Sequence, residues 1–217
     1  MIKIAPSILA ADPLNLERDV RMAEKAGCDW IHVDVMDAHF VPNLAYSADT
    51  VRRLREITSL PLDVHLMMDN PETMIDRFID AGASCVTIHA ETDSDVPALL
   101  KEIRRRGRMA GVALKPHSSA EIILPYLEQT DLVLMMTVEP GFGGQQLDSG
   151  VISKIRQLSD MGYKGEIEAD GGIREDNLEM LAVNGLTVAV MGTALFRNKE
   201  MAACIERLHR IRTDRKA

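Results

Sequence analysis

The sequence predicts an α/β fold: one domain over residues 1–217, built as a (β/α)8 TIM barrel. Three observations predict it. First, a helical segment ending in glycine is repeatedly followed by a short apolar run, as in "EKAGCDWIHVDV", "IDAGASCVTIHA", "RRRGRMAGVAL", "DMGYKGEIEAD" and "AVNGLTVAVMG". Glycine just past a helix forms the usual left-handed cap, and the β-rich run after it reads as a strand. Second, strand and helix alternate about eight times at spacings of roughly 20–30 residues, the signature of parallel βαβ units. Third, histidines and carboxylates interrupt several of these runs near the same end, which is where such a barrel carries its chemistry. A doubly wound open sheet is the alternative arrangement of the same units.

Strands are expected at about 2–9, 30–36, 62–68, 85–90, 109–115, 132–138, 166–170 and 188–192. Helices fit between them. "DPLNLERDVRMAEKAG" is expected to open with Asp12 as cap and Pro13 at the first helical position. "NPETMIDRFIDAG" repeats the pattern with Asn70, Pro71 and Glu72. "SSAEIILPYLEQ" is a weaker helix, because Pro125 interrupts it. A last helix, charged on one face, is expected at about 198–212.

The composition narrows the function. The chain has 217 residues and a formal charge of −8, which argues against nucleic acid or an anionic membrane as partner. No apolar run approaches the roughly 18 residues of a membrane span, and "MIKIAPSILAAD" lacks the apolar stretch of a signal peptide. The expected location is cytoplasmic. Cys28, Cys85 and Cys204 are far apart and not in CxxC spacing, so they read as reduced, buried thiols.

Side chains on a strand alternate with period two. His32, Asp34 and Met36 therefore share one face, His65 and Met67 share another with Asp63 below them, and Glu168 and Asp170 share a third. Buried charges are costly unless paired or metal-bound. His32, Asp34, His65 and Asp170 make a suitable ligand set for one divalent metal; zinc, iron, manganese and cobalt all accept it. "EPGFGGQ" (139–145), "DGGI" (170–173) and "MGTALF" (191–196) follow the last three strands. Their glycines would let backbone N–H groups approach an anion, so they read together as a phosphate cradle.

The motifs "APSILAAD", "HVDVMDAHFVPN", "DVHLMMDNPE", "VEPGFGGQ" and "EADGGI" resemble the ribulose-phosphate 3-epimerase family, in order, from about residue 4 to 197. The resemblance implies reversible epimerisation at carbon 3 between D-ribulose 5-phosphate and D-xylulose 5-phosphate. It implies a metal on His32, Asp34, His65 and Asp170, with Asp34 and Asp170 also the two acid/bases. It implies that Ser7 and His65 touch substrate, that Met36, Met67 and Met136 cap the reaction plane, and that Gly143, Gly144, Gly171, Gly172, Gly192 and Thr193 hold phosphate. A homo-oligomer is implied as well. The chain departs from the family at Ala38, where Gly is usual, so the loop there is expected to avoid positive φ. Thr193 replaces a more common Ser but keeps the hydroxyl. Ala169 replaces Val, and "LKPHSS" (114–119) replaces "LNPGTP".

Inverting carbon 3 of a 2-ketose requires a proton removed from one face and one delivered to the other, and two facing carboxylates can do this. The intermediate is an enediolate, whose charge a metal would stabilise as a Lewis acid. Polarizable methionines could keep water away from it. The nearest rival is the same reaction on a hexulose phosphate, as in allulose-6-phosphate 3-epimerase. More distant readings are a Schiff-base aldolase using Lys115 and a non-catalytic phospho-sugar binding protein.

Overall fold

The structure, a computed structural model, describes residues 1–214. Its strands in chain order are β1 (Lys3–Pro6), β2 (Ile31–Asp37), the two-residue β3 (Leu44–Ala45), β4 (Leu62–Met67), β5 (Cys85–His89), β6 (Met109–Leu114), β7 (Leu132–Met136), β8 (Glu166–Asp170) and β9 (Val188–Met191). All except β3 run parallel, in the order β1-β9-β8-β7-β6-β5-β4-β2. The short β3 adds antiparallel to the end of β2. The two edges of that order meet. The Ile4 carbonyl accepts from the N–H groups of Asp29 and Trp30 at 2.9 and 3.4 Å, and Ser7 bridges to His32. The sheet is therefore closed: an eight-stranded parallel barrel, not an open doubly wound sheet.

Around it lie α1 (Leu16–Lys25), α2 (Ala48–Ile57), α3 (Ile75–Ala81), α4 (Val96–Arg105), α5 (Ile152–Asp160), α6 (Glu175–Ala182), α7 (Thr193–Phe196) and α8 (Met201–His209). A 3₁₀ run, Ala120–Gln129, occupies the place between β6 and β7, and Ser119 caps it through its hydroxyl. Pro125 lacks the N–H a regular helix would use there, which accounts for the weak helix expected. Gly27, Gly82, Gly107, Gly162 and Gly185 all have positive φ, as the five helix–glycine–strand motifs require. No helix among the described residues is long and apolar enough to cross a membrane. The three cysteines are free and buried.

The alternation of each strand sorts the core into two parts. Outward-facing Val33, Val35, Val64, Leu66, Ile88 and Ile167 join one large apolar layer with Phe78, Leu100, Ile155 and Leu181 from the helices. Inward-facing Ala5, Cys85, Ala113, Leu134, Met136 and Val190 form a second, smaller cluster inside the barrel. The rest of the interior is polar, and it comes mainly from β2, β4, β5 and β8.

Several expected boundaries shift. Asp12 does not cap α1. Its carboxylate accepts from the Leu14 N–H and the Asn15 side chain, closing a turn, so the helix starts only at Leu16. Pro13 lies in that turn rather than at the first helical position. Asn70–Pro71–Glu72 starts a 3₁₀ turn over Pro71–Thr73, with no cap bond from Asn70 and α3 only after it. The first strand ends at Pro6, because Ile8–Ala10 turns into 3₁₀ geometry under the Ser7 cap. The expected last helix, 198–212, is Met201–His209. Ala38 contradicts the expectation for its loop: its φ is +61°. The turn there is fixed from both sides, with Asp37 accepting from the N–H groups of His39, Phe40 and Asp69, and the Ala38 N–H donating to Asn43. The loop thus keeps a conformation costing an L-residue roughly 1–2 kcal/mol.

Candidate active site

At the C-terminal end of the barrel lies a cavity of about 710 Å³. It is lined by Ser7, Asp34, Met36, Met67, Met136 and Asp170. The loops expected to hold phosphate also face it, through Gly143, Gly144, Gly171, Gly172, Gly192 and Thr193. His32 and His65 lie just beneath, completely buried.

The parallel register places Asp34 beside His65 on the neighbouring strand. The possible ligand atoms of His32, Asp34, His65 and Asp170 all lie within 4.8 Å of one another. His32 Nε2 is 3.4 Å and His65 Nδ1 is 3.5 Å from the same Asp34 Oδ1. Both nitrogens are buried and have no hydrogen-bond partner among the described residues. Orphaned buried polar atoms are costly. Two of them converging on a carboxylate, with a second carboxylate at hand, is the arrangement that a divalent cation satisfies. The donor set fits a metal.

The opposite sides of these ligands are held. Ser7 Oγ donates to Asp34 Oδ2 at 2.6 Å, leaving Oδ1 toward the histidines. His32 Nδ1 lies 2.6 Å from Asp63 Oδ2, a carboxylate that fixes the ring and turns Nε2 inward. Glu168 lies beneath, with its Oε1 3.9 Å from His32 Nδ1. Burial and the nearby Asp63 push its carboxyl well above the usual range. His89 Nε2 lies 2.9 Å from His65 Nε2, and His89 Nδ1 lies 3.1 Å from Glu91. Burial takes His89 down to about 4. Burial alone would raise Glu91, but hydrogen bonds from His89 and Ser118 outweigh it and bring the carboxyl down to about 2.

The two site aspartates differ. Burial opposes ionisation of Asp34, yet the charge of His32, whose Nε2 lies 3.4 Å from its Oδ1, holds it below the ordinary carboxylate range. Asp170 is pushed up to about 7, first by burial and then by the charge of Asp34. In the metal-free protein the two carboxyls are thus pushed in opposite directions, Asp34 down and Asp170 up. They come from different parts of the wall, with β1 and β9 between β2 and β8.

The glycines divide as well. At Gly172 (φ +62°) a Cβ would meet Leu147 N at 2.5 Å, and at Gly171 (φ +122°) it would meet Val138 at 2.4 Å, so the fold itself demands both. At Gly143 φ is not positive and a Cβ would meet nothing within 4 Å. Gly143 leaves its backbone open to the cavity without structural need. Met36 and Met67 pack with Val41 above the site, and Met136 closes the barrel interior. Lys115 is not among the cavity residues; its ammonium sits 3.9 Å over the Phe40 ring.

Sequence reasoning named the four-residue cluster but gave no role to Asp63, Glu168 or Glu91, and read His89, at the end of its strand, as structural. For the first two the signal was present, since both are charged residues on the inward face of their strands.

A closed parallel barrel with a two-histidine, two-carboxylate cluster, buried except for the half-buried Asp170, at its C-terminal mouth defines the class: an α/β-barrel protein with a candidate metal centre. Residues 3–196 match the family model described as the ribulose-phosphate 3 epimerase family. The chain is 39% identical to the ribulose-phosphate 3-epimerase of Bacillus subtilis (strain 168), over 96% of this chain and 98% of that one. It is 42% identical to the ribulose-phosphate 3-epimerase of Mycobacterium bovis, over 95% of this chain and 91% of that one. The chain belongs to the ribulose-phosphate 3-epimerase family. Among solved structures, the thiamine phosphate pyrophosphorylase of Pyrococcus furiosus superposes with a TM-score of 0.68 at 18% identity, covering 97% of this chain and 95% of that one. At that identity the likeness is one of fold alone.

Proposed function

We propose that the protein interconverts D-ribulose 5-phosphate and D-xylulose 5-phosphate by moving a proton at carbon 3 between Asp34 and Asp170. The observation that carries this reading is geometric: Asp34 on β2 and Asp170 on β8 line one cavity, with their carboxylate oxygens within 4.8 Å of two buried histidine nitrogens and of each other. Family membership supports the substrate class. In one direction Asp34 takes the carbon 3 proton and Asp170 delivers one to the other face; in the other direction the roles exchange. A divalent metal held by His32, Asp34, His65 and Asp170 would supply Lewis-acid stabilisation of the negative charge that develops on the sugar oxygens. Ser7 keeps Asp34 oriented through its 2.6 Å hydrogen bond. Met36, Met67 and Met136 exclude water from the reacting carbon. The loops at 143–144, 171–172 and 192–193 present backbone N–H groups to the phosphate.

The test is an epimerase assay on D-ribulose 5-phosphate and allulose 6-phosphate, coupled to metal analysis of the same preparation. The expected result is one divalent metal per chain and preference for the pentulose. Preference for the hexulose would move the chain to the rival substrate. Full activity after metal removal in chelator would remove the Lewis-acid role.

A further inference from the structure

The two histidines of the candidate metal set are supported differently. His32 leans directly on the Asp63 carboxylate, whereas His65 leans on another histidine. We propose that His89 and Glu91 form a directional hydrogen-bond relay that fixes the tautomer of His65 and thereby turns its Nδ1 lone pair toward Asp34. The consequence for metal binding rests on the reading of His65 as a ligand given above. The tautomer does not.

A neutral imidazole has one N–H and one lone pair. His65 Nε2 and His89 Nε2 are 2.9 Å apart, so one donates and the other accepts. The remaining nitrogen of His89, Nδ1, lies 3.1 Å from Glu91 Oε2. An ionised carboxylate only accepts, so His89 carries its proton on Nδ1. Its Nε2 is then the acceptor, and His65 Nε2 is the donor. The His65 lone pair falls on Nδ1, the atom 3.5 Å from Asp34 Oδ1 and without a hydrogen-bond partner among the described residues. The reverse order would set a lone pair of His89 against the Glu91 carboxylate.

Glu91 is anchored in turn. Its Oε1 accepts from the Lys115 backbone N–H at 2.7 Å. The register makes the chain of contacts possible: His65 pairs with Thr87 on β5, and His89 is two residues further toward the mouth on the same face. The Phe40 ring covers the relay, 4.6 Å from the His89 ring. His89 and Glu91 are therefore positioning residues, acting through His65. Partners of this kind typically change metal affinity by about 10–100-fold when removed.

The experiment uses the full chain, histidine-labelled with ¹⁵N, in metal-free and zinc-loaded form. NMR is expected to find the His65 proton on Nε2 and the His89 proton on Nδ1 in both forms. Zinc affinity is then measured by chelator competition without sugar. Glu91→Ala is expected to weaken zinc binding about 10–100-fold. Glu91→Gln retains an acceptor oxygen and should lose less. A His65 proton on Nδ1 would overturn the relay. So would a folded Glu91→Ala protein with wild-type zinc affinity and an unchanged His65 tautomer. If the wild type takes no zinc, the ligand reading of His65 fails, and the tautomers of the metal-free protein still decide the relay.

Discussion

The outward and inward faces of β2, β4 and β8 belong to the same strands and do opposite work. Outward, Val33, Val35, Val64, Leu66, Ile167 and Ala169 pack into the layer beneath the helices. Inward, His32, Asp34, Asp63, His65, Glu168 and Asp170 hold one another through hydrogen bonds and charge. The outer face interacts through area and shape, and each of its side chains could be replaced by another of similar volume. The inner face interacts through specific atoms, several of them left without partners. Stability lives mainly on one face and chemistry on the other, one residue apart.

The largest expected effect on the outer face follows from Leu66, which is completely buried. Leu66→Ala should destabilise the fold by about 2–5 kcal/mol, read from urea unfolding, because the transfer loss is joined by a cavity. Its kcat at low temperature should stay near wild type. A large loss of kcat in protein that remains folded would show that the two faces are not separable.

The inner face predicts a pH dependence that the outer face does not. In the metal-free protein Asp170 titrates at about 7 when folded, against 3.8 for the ordinary group. Between those values the folded chain binds more protons than the unfolded one. Stability should therefore fall as pH rises through that window. His32 acts in the same sense: raised from 6.5, it contributes stability that is lost as pH climbs through its folded value. Below pH 6.5 His65 and His89, both lowered from 6.5 by burial, act in the opposite sense, so the decline in urea midpoint of the metal-free protein should show from pH 6.5 to 8, and Asp170→Asn should flatten it. The cost of Leu66→Ala should be the same at both ends.

A smaller effect belongs to neither face. Ala38 holds φ at +61° in the loop that leaves β2. Ala38→Gly should relieve that conformation and, after the added freedom of the unfolded chain, raise stability by about 1 kcal/mol or less. Thermal unfolding would show it.

Much of this contrast was legible in the sequence, because period-two alternation separates the faces without any knowledge of the fold. The five capping glycines were legible for the same local reason. The four-residue cluster followed from placing polar residues near one end of the strands. What was not legible depended on neighbours. Asp12 closes a turn of its own instead of capping α1, through contacts with Leu14 and Asn15 that a cap motif does not distinguish. Ala38 takes positive φ because Asp37 and Asn43 fix the turn around it, which outweighs the preference of the residue itself. His89 and Glu91 gain their meaning only from the register between β4 and β5, which brings His89 against His65.

The central claim is that Asp34 and Asp170 are the two proton carriers. It is tested most directly by following interconversion of D-ribulose 5-phosphate and D-xylulose 5-phosphate, with deuterium entry at carbon 3 from heavy water, in wild type, Asp34→Asn and Asp170→Asn. Deuterium should enter at carbon 3 with the wild-type protein. Interconversion should fall by about 10²–10⁴-fold in each variant, with unfolding midpoints showing both folded. Near-normal interconversion in either variant would contradict the two-carboxylate account.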